Sequence, residues 1–419
     1  MATERARLRA RERLEALAHS SLDSEAARRE AIVALRPAVG FRRWCWPLTD
    51  PTSALSTSGI AEFDLWAEVP RFAVLEEAGD VTSKPGLVLG ERASVTLGAA
   101  TGGDLARSRR WRECLRPYGV GDELMAACRD RHGCWATVEL MRDSDDPPFT
   151  EDEADLLHAL APTLAALIRR GFHSHAVEPR HERMPPPAAV IVDGELHPTS
   201  WTPAFREWLA RLPSGPDVVP PAFYELGTRV LTPAAAAHGL PASVRVRTRT
   251  GRWSVLEGAL LEGADRGRVV ITIRSAAADE VFDLLAKAYD LTRRERQLAA
   301  LLLEGLATEH IAAALSISPH TVQDHLKAIF AKTGLRSRRE LIPHLAGRMP
   351  DVGSASGQAG LGRRLRRPAD DPAGDDLDRA DRRHAVRAAM LGRGALAGRD
   401  AEGEEEDGEH RRDGGESRR

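Results

Sequence analysis

Apolar side chains recur at helical spacing in four successive blocks between residues 291 and 345. The first block begins at Thr292 and Glu295, which form a capping box, because the hydroxyl and the carboxylate each bind a free backbone N–H of the first turn. It ends at Gly305, which readily adopts the left-handed backbone that stops a helix. Thr308 is the expected cap of the second block. The pattern predicts two short helices here.

Two more helices follow after a tight turn. Ser318 and Pro319 are an N-cap followed by proline at the first helical position, where the missing N–H costs nothing. Gly334 ends this third helix, and Ser337 with Glu340 forms a second capping box that begins the fourth. Helix, helix, tight turn, helix is the helix-turn-helix layout, in which the later helix of the pair enters a DNA major groove.

The third helix has an apolar face and a polar face. The apolar positions that follow helical spacing, and are predicted to face a small core, are Val322, Leu326, Ile329 and Phe330. The opposite face carries Thr321, Gln323, Asp324, Lys327 and Lys332. From residue 319 to residue 348, six Lys and Arg residues stand against two acids, although the whole chain has a net charge of −3. The positive charge is therefore local, as phosphate binding requires.

This segment resembles the C-terminal four-helix DNA-binding domain of LuxR-type bacterial transcription regulators. The cap, core and turn residues that carry the resemblance are Leu291, Thr292, Glu295, Gly305, Ile311, Leu315, Ser318, Thr321, Val322, Leu326, Ile329, Lys332, Gly334, Ser337 and Leu341. One departure is Gln323, where the family usually carries Lys or Arg, with the acidic Asp324 beside it. The resemblance implies double-stranded DNA as partner and a homodimer on DNA.

Ten residues are candidates for contact with DNA, and five of them have a specific expected role. The candidate DNA-binding residues are Thr308, Ser318, His320, Thr321, Gln323, Asp324, Lys327, Lys332, Arg336 and Arg338. Gln323 and Lys327 are expected to read bases, whereas Thr308, Thr321 and Arg338 position the domain on phosphates. The residues of the fourth helix expected to pair two copies are Leu341, Ile342 and Leu345. RNA polymerase and an unidentified small-molecule effector are further candidate partners.

The rest of the chain predicts an α+β multidomain protein. Its expected segments are an N-terminal helix (1–24), a GAF-like sensor domain (25–172), a linker (173–187), a small PAS-like α+β domain (188–276), the all-α helix-turn-helix domain (283–348) and a disordered tail (350–419). The tail prediction rests on a composition dominated by Gly, Ala, Arg, Asp and Glu, which cannot bury enough apolar surface to fold.

The sensor assignment rests on the order of elements in residues 25–172. Short strand patterns occur at residues 87–97, and residues 133–141 alternate between polar and apolar side chains. Thr150 and Glu153 then begin a long amphipathic helix. This order resembles a GAF-type sensor, which implies an antiparallel sheet with helices on one face and a ligand pocket on the other. No motif identifies a ligand.

Residues 188–276 have a strand, a helix and then a set of hairpin strands, an order that resembles a reduced PAS-like fold. The predicted helix of this unit covers residues 202–212, and strand patterns follow from residue 244. An amphipathic helix over residues 279–289 then leads into the helix-turn-helix. We expect this helix to transmit changes between the N-terminal units and the DNA-binding unit.

Composition narrows the remaining possibilities. No stretch approaches 18 apolar residues, so no membrane span is expected, and the basic N-terminus lacks the apolar region of a secretory signal. A cytoplasmic protein is therefore expected. The spacing of the four cysteines fits neither a redox pair nor a common zinc site, so buried reduced thiols are expected, with no cofactor or metal.

Two other classes of function remain open. The first is an enzyme with a GAF-like catalytic domain, which no G-x-S-x-G, H-E-x-x-H or nucleotide-loop motif favours. The second is a module that uses the helix-turn-helix to bind proteins instead of DNA. The resemblance favours a regulator that is not an enzyme, and binding to upstream DNA would separate the three classes.

Overall fold

A computed structural model describes residues 4–20, 22–62, 68–173, 183–215, 218–233 and 237–347. The predicted disordered tail at 350–419 lies outside these residues, as does most of the predicted linker at 173–187. The described chain contains two antiparallel sheets followed by a group of helices. The predicted mixture of helices and strands is therefore confirmed.

The first sheet is built from five antiparallel strands in the order β2-β1-β5-β4-β3. The strands are β1 (Arg43–Thr49), β2 (Ser56–Ala61), β3 (Ser94–Thr96), β4 (Val120–Asp130) and β5 (Gly133–Asp143). β4 and β5 form a long hairpin. Gly133, at the start of β5, has a φ of +127°, and a Cβ there would lie 1.9 Å from the carbonyl oxygen of Pro51. Glycine is therefore required where these two segments approach each other.

Helices cover both faces of this sheet. They are α1 (Glu4–Ala18), α2 (Ser24–Val39), α3 (Val69–Glu77), α4 (Lys84–Leu89), α5 (Leu97–Thr101) and α6 (Glu151–Arg170). α1, α2 and α6 share one apolar core with β4 and β5, and α6 begins at the predicted capping box of Thr150 and Glu153. The strand prediction for residues 87–97 was partly wrong, because Ser83 caps α4 and only β3 is extended.

The sheet face expected to hold a ligand pocket carries a cluster of buried charges. Lys84 Nζ lies 2.5 Å from Glu225 Oε1 and 3.2 Å from Glu76 Oε2. Glu139 of β5 is buried nearby without a hydrogen-bonded cation among the described residues. Burial, together with the negative charges of Glu76 and Glu123, raises the pKa of Glu139 to about 8. Glu139 is therefore largely protonated at neutral pH.

The second sheet also has five antiparallel strands, in the order β7-β6-β10-β9-β8. The strands are β6 (Ala188–Val192), β7 (Pro198–Trp201), β8 (Ser243–Arg247), β9 (Trp253–Leu260) and β10 (Val269–Ser275), and the helices are α7 (Ala204–Arg211) and α8 (Pro221–Leu231). Phe205 of α7 and Phe223 of α8 meet edge to face at 5.7 Å. They hold both helices on the sheet, and α8 was not predicted from the sequence.

Buried charge pairs join the two sheet units. Arg229 of α8 donates two hydrogen bonds to the carboxylate of Glu77, at 2.7 and 2.9 Å. Arg245 of β8 makes a similar paired contact with Asp50, at 2.7 and 2.8 Å. A buried charge that loses its partner is costly. These pairs therefore favour one relative placement of the two units over others.

Five helices end the described chain. They are α9 (Ala278–Ala288), α10 (Arg293–Leu303), α11 (Thr308–Leu315), α12 (Pro319–Thr333) and α13 (Arg338–Leu345). α9 contributes to two cores, because Leu284 and Ala288 pack with the first sheet unit while Val281 and Leu285 pack with α10 to α13. The C-terminal helices are therefore attached to the sheet units through apolar contacts.

The four cysteines lie within the described chain as free thiols. Three of them are buried, as predicted, and Cys45 is half-buried. Burial raises the pKa of the Cys134 thiol to about 11, which keeps this thiol protonated and poorly reactive. Among the helices that the structure describes, none combines the length and apolar character that a bilayer span needs.

Candidate nucleic-acid interface

The helix predicted to enter DNA, α12, begins and ends where the sequence indicates. The Ser318 hydroxyl accepts the backbone N–H of Thr321 at 3.0 Å, and Pro319 occupies the first turn. Gly334 ends the helix with a φ of +73°, and its N–H donates to the Phe330 carbonyl oxygen at 2.8 Å. Both ends thus satisfy backbone groups that a helix leaves free.

α12 separates apolar from polar side chains as predicted. Val322, Leu326 and Ile329 are buried in the core of the C-terminal helices. The exposed side chains are His320 (84%), Gln323, Asp324 (54%) and Lys327 (73%). No other part of the described chain covers this face, so it is open to a partner.

A tight turn sets the angle between α11 and α12. Ser316 has a φ of +54°, the left-handed conformation that ends α11. The N–H of Ile317 donates to the Ala312 carbonyl oxygen at 3.0 Å, and the Ile317 side chain packs on the core. The start of α12 is therefore fixed against a packed support, as a reading helix requires.

The charged groups on the exposed face contact one another in the free protein. Lys327 Nζ donates to Asp324 Oδ1 at 3.1 Å, and His320 Nε2 lies 3.6 Å from Asp324 Oδ2. The hydrogen bond from Lys327 lowers the pKa of Asp324, so this carboxylate stays ionised near neutral pH. A DNA phosphate or base would compete with Asp324 for Lys327.

Two predicted phosphate contacts lie together at one end of the domain. Arg338 Nη2 donates to the Thr308 hydroxyl at 2.6 Å, which joins the first turns of α11 and α13. Thr308 is the first residue of α11, and its N-cap is Ala307, without a side-chain cap. The prediction that Thr308 caps α11 was therefore wrong, because its hydroxyl bonds to Arg338.

The second predicted capping box is only half formed. Ser337 accepts the N–H of Glu340 at 3.3 Å, but the Glu340 carboxylate accepts the N–H of Arg336 at 3.0 Å and not that of Ser337. The residue that precedes the cap is thereby tied to α13, while the Arg336 side chain remains exposed.

Lys332 lies apart from the exposed set. Its ammonium donates to Glu295 Oε2 at 2.7 Å and to the Asp290 carbonyl oxygen at 3.0 Å. The acid that completes the first capping box thus also binds the end of α12. Lys332 thus differs from Gln323 and Lys327, because its charge serves an ion pair within the domain. A contact between Lys332 and DNA stays a prediction.

The fourth helix presents a different surface from the one expected. Leu341 and Leu345 are fully buried in the core that α13 shares with α9 to α12, and Ile342 is partly buried against it. The chain directly after α13 also packs closely on α9, because a Cβ at Gly347 would lie only 2.9 Å from a Val281 methyl carbon. The expectation that Leu341 and Leu345 pair two copies therefore fails in this arrangement, because they pack within one chain.

Residues that sequence reasoning missed hold the C-terminal helices against the sheet units. His132 Nε2 lies 2.6 Å from Asp290 Oδ1, and Arg131 also pairs with this carboxylate. The Tyr289 hydroxyl donates to the Phe172 carbonyl oxygen at 3.1 Å. The partners are far apart in the sequence, so no local pattern could indicate these contacts.

Comparison with known proteins agrees with this geometry. The family described as "Bacterial regulatory proteins, luxR family" matches residues 290–345. The transcriptional regulatory protein FixJ of Rhizobium meliloti is 33% identical over 86 residues, which cover 20% of this chain and 40% of FixJ. A protein of Aeromonas salmonicida named for HTH-type transcriptional regulation is 61% identical over 51 residues, or 12% of this chain and 26% of the relative.

A longer match extends beyond the C-terminal helices. A protein of Mycobacterium bovis, also named for HTH-type transcriptional regulation, is 30% identical over 227 residues, which cover 48% of this chain. This chain spans only 24% of that relative's length, so most of the relative has no counterpart in the match. Residues 290–345 of this chain form a LuxR-family helix-turn-helix domain.

Proposed function

We propose that this protein is a sequence-specific, DNA-binding transcriptional regulator and not an enzyme. The observation that carries the proposal is the exposed polar face of α12, held on a packed core at the position where a helix-turn-helix places its reading helix. In the proposed complex, Gln323 and Lys327 contact base edges. Thr308, Thr321 and Arg338 contact the phosphates on either side.

The remaining candidate residues have supporting roles in this proposal. Ser318 and His320 lie at the start of α12, where backbone N–H groups favour a phosphate. Arg336 lies beside the start of α13 and adds positive charge. Asp324 repels phosphates. It also disfavours DNA sequences that offer Lys327 no contact to replace its hydrogen bond with Asp324.

We further propose that two copies bind DNA together in the cytoplasm. Two-fold related copies would place their α12 helices in successive major grooves, about 34 Å apart. The pairing surface must lie outside Leu341 and Leu345, since both serve the core. The N-terminal units, of GAF-like and PAS-like type, would sense an effector, and a regulator bound upstream of a gene would contact RNA polymerase.

A gel shift with the DNA upstream of the protein's own gene tests the proposal. At low salt we expect binding to this DNA and to a shuffled sequence of equal length, because phosphate contacts are independent of sequence. At higher salt only the upstream DNA should remain bound. Equal loss on both sequences would reduce the function to non-specific binding, and no shift at either salt concentration would favour the protein-binding alternative.

A further inference from the structure

A cavity of about 180 Å³ lies where the two sheet units and α9 meet. Its walls come from all three, with Trp135 from β5, Trp253 from β9 and Leu284 from α9. The volume is below the usual range for drug-sized ligands. The cavity would therefore suit a small molecule of one ring or two.

Of the two arginines that line the cavity, Arg247 lacks an acidic partner within the described chain. Arg247 lines the cavity and is half-buried, and it has no carboxylate partner among the residues that the structure describes. Among the wall residues that the structure describes, the one acid is Asp50, which uses both oxygens to bind Arg245. Loss of water around Arg247 lowers the pKa of its guanidinium. Arg247 Nε donates one long hydrogen bond, 3.4 Å, to the Gly251 carbonyl oxygen. A half-buried cation without a counter-charge costs free energy that an anion would offset.

Flat apolar surfaces complete the wall beside this charge. The ring of Phe172 stacks on that of Trp253, with centroids 6.0 Å apart and planes 4° apart. Trp135 meets Phe172 edge to face at 5.5 Å. Ser24 also lines the cavity, and its buried hydroxyl has no hydrogen-bond partner within the described chain. Aromatic walls favour a planar apolar body, and a guanidinium fork favours a carboxylate.

We propose that this cavity binds a small aromatic carboxylate, with the carboxylate on Arg247 and the ring against Trp253 and Phe172. Neutral molecules of the same shape would leave the guanidinium without a counter-charge, and cationic ones would be repelled by it. The ligand class therefore follows from the charge, and the size follows from the volume.

Three residues of the proposed ligand site also lie beside the last helix of the helix-turn-helix domain. Arg247, Phe172 and Trp253 also line a second, smaller cavity together with His344 of α13. Tyr289 binds the Phe172 carbonyl oxygen, and its hydroxyl lies 2.6 Å from His344 Nε2. A ligand that moves Phe172 or Arg247 would change how α13 packs. That this ligand is the effector of DNA binding rests on the proposed function.

Isothermal titration calorimetry with sodium benzoate tests the site in the full-length protein. Benzamide, which has the same ring and no charge, is the matched ligand control. The variants are Arg247→Gln and, as a control two residues away, Arg249→Gln, whose exposed side chain does not line the cavity. Benzoate should bind the wild type and Arg249→Gln, and at least roughly tenfold more weakly to Arg247→Gln, as expected for loss of a charge-assisted hydrogen bond.

The proposal is wrong if benzoate does not bind the wild type at millimolar concentration, if benzamide binds as tightly, or if Arg247→Gln keeps its affinity. The comparison of the two ligands uses only the wild type, so it holds even where Arg247→Gln fails to fold. The same preparations are then used in the gel shift. Benzoate binding without DNA binding would refute the proposed function alone, and DNA binding without benzoate binding would refute the cavity alone.

Discussion

Replacing Lys327 with alanine is a direct test of the role of α12. The side chain is 73% exposed, and its hydrogen-bond partner in the free protein is Asp324, which is also exposed. Such surface pairs contribute little to stability. Lys327 can therefore leave Asp324 for DNA, and Lys327→Ala should leave the fold intact. A changed affinity for DNA would then report on the interface itself.

The expected loss follows from the contact that Lys327 makes. A side-chain contact to a base edge discriminates by about 1–3 kcal/mol, which corresponds to roughly 5- to 150-fold in affinity. Fluorescence anisotropy would measure the affinity for the upstream duplex and for a shuffled duplex over a series of salt concentrations. If Lys327 reads a base, Lys327→Ala should lose affinity for the upstream duplex alone. If Lys327 contacts a phosphate, the variant should lose affinity for both duplexes, and the slope of affinity against salt should fall by about 1.

Asp324→Asn gives a control of opposite sign on the same face. It removes the negative charge that holds Lys327 in the free protein, so binding to both duplexes should tighten, most at low salt. Arg293→Ala removes a positive charge from the exposed start of α10 and should change affinity less than Lys327→Ala. Unchanged binding of Lys327→Ala on both duplexes would remove this residue from the interface and contradict the proposed orientation of α12.

Three further substitutions test the core behind α12, the raised pKa of Glu139 and the buried charge pair between the sheet units. Leu326→Ala should destabilise the helix-turn-helix by about 2–5 kcal/mol, because it opens a cavity in the core, and a circular-dichroism melt showing an unchanged midpoint would contradict the assigned core. Glu139→Gln should raise the melting temperature more at about pH 8.5 than at about pH 5. The folded protein keeps the Glu139 proton up to about pH 8, whereas the unfolded chain releases it near the ordinary glutamate pKa of 4.5, so wild-type stability falls as pH rises between these values. An equal effect of the substitution at both pH values would refute the raised pKa. Arg229→Met leaves Glu77 buried without its partner and should cost about 3–5 kcal/mol in urea denaturation, whereas Arg268→Met, which breaks an exposed pair, should cost at most about 1 kcal/mol.

The helix-turn-helix could be predicted from the sequence because its determinants are local. Ser318 and Pro319 start α12, and Gly334 ends it, through hydrogen bonds within one or two turns. The apolar spacing that predicts the core around Leu326 also lies within one helix. Local chemistry does not show which partner a side chain chooses when two are in reach, so the pairing of Thr308 with Arg338 was missed.

Long-range contacts account for most of what could not be predicted. Glu77 and Arg229 look like ordinary surface charges in the sequence, yet they form a buried pair between two sheet units. The apolar stripe of α13 indicates that Leu341 and Leu345 pack against something, but periodicity does not distinguish a second copy from α9 of the same chain. In this structure the partner is the same chain, so the prediction that Leu341 and Leu345 pair two copies was wrong.

α9 contacts both the cavity beside Arg247 and the helices that support α12. Its Leu284 packs with the first sheet unit and lines the cavity beside Arg247, while Val281 and Leu285 pack with the helices that support α12. A change in cavity occupancy that moves α9 must therefore alter one of these two sets of contacts. Since the core of the helix-turn-helix fixes α12, we expect the contacts with the first sheet unit to change first. These contacts include the partly exposed polar contact between His132 and Asp290. An effector would then act by loosening or tightening the attachment of the whole DNA-binding domain, without reshaping the face that α12 presents to DNA.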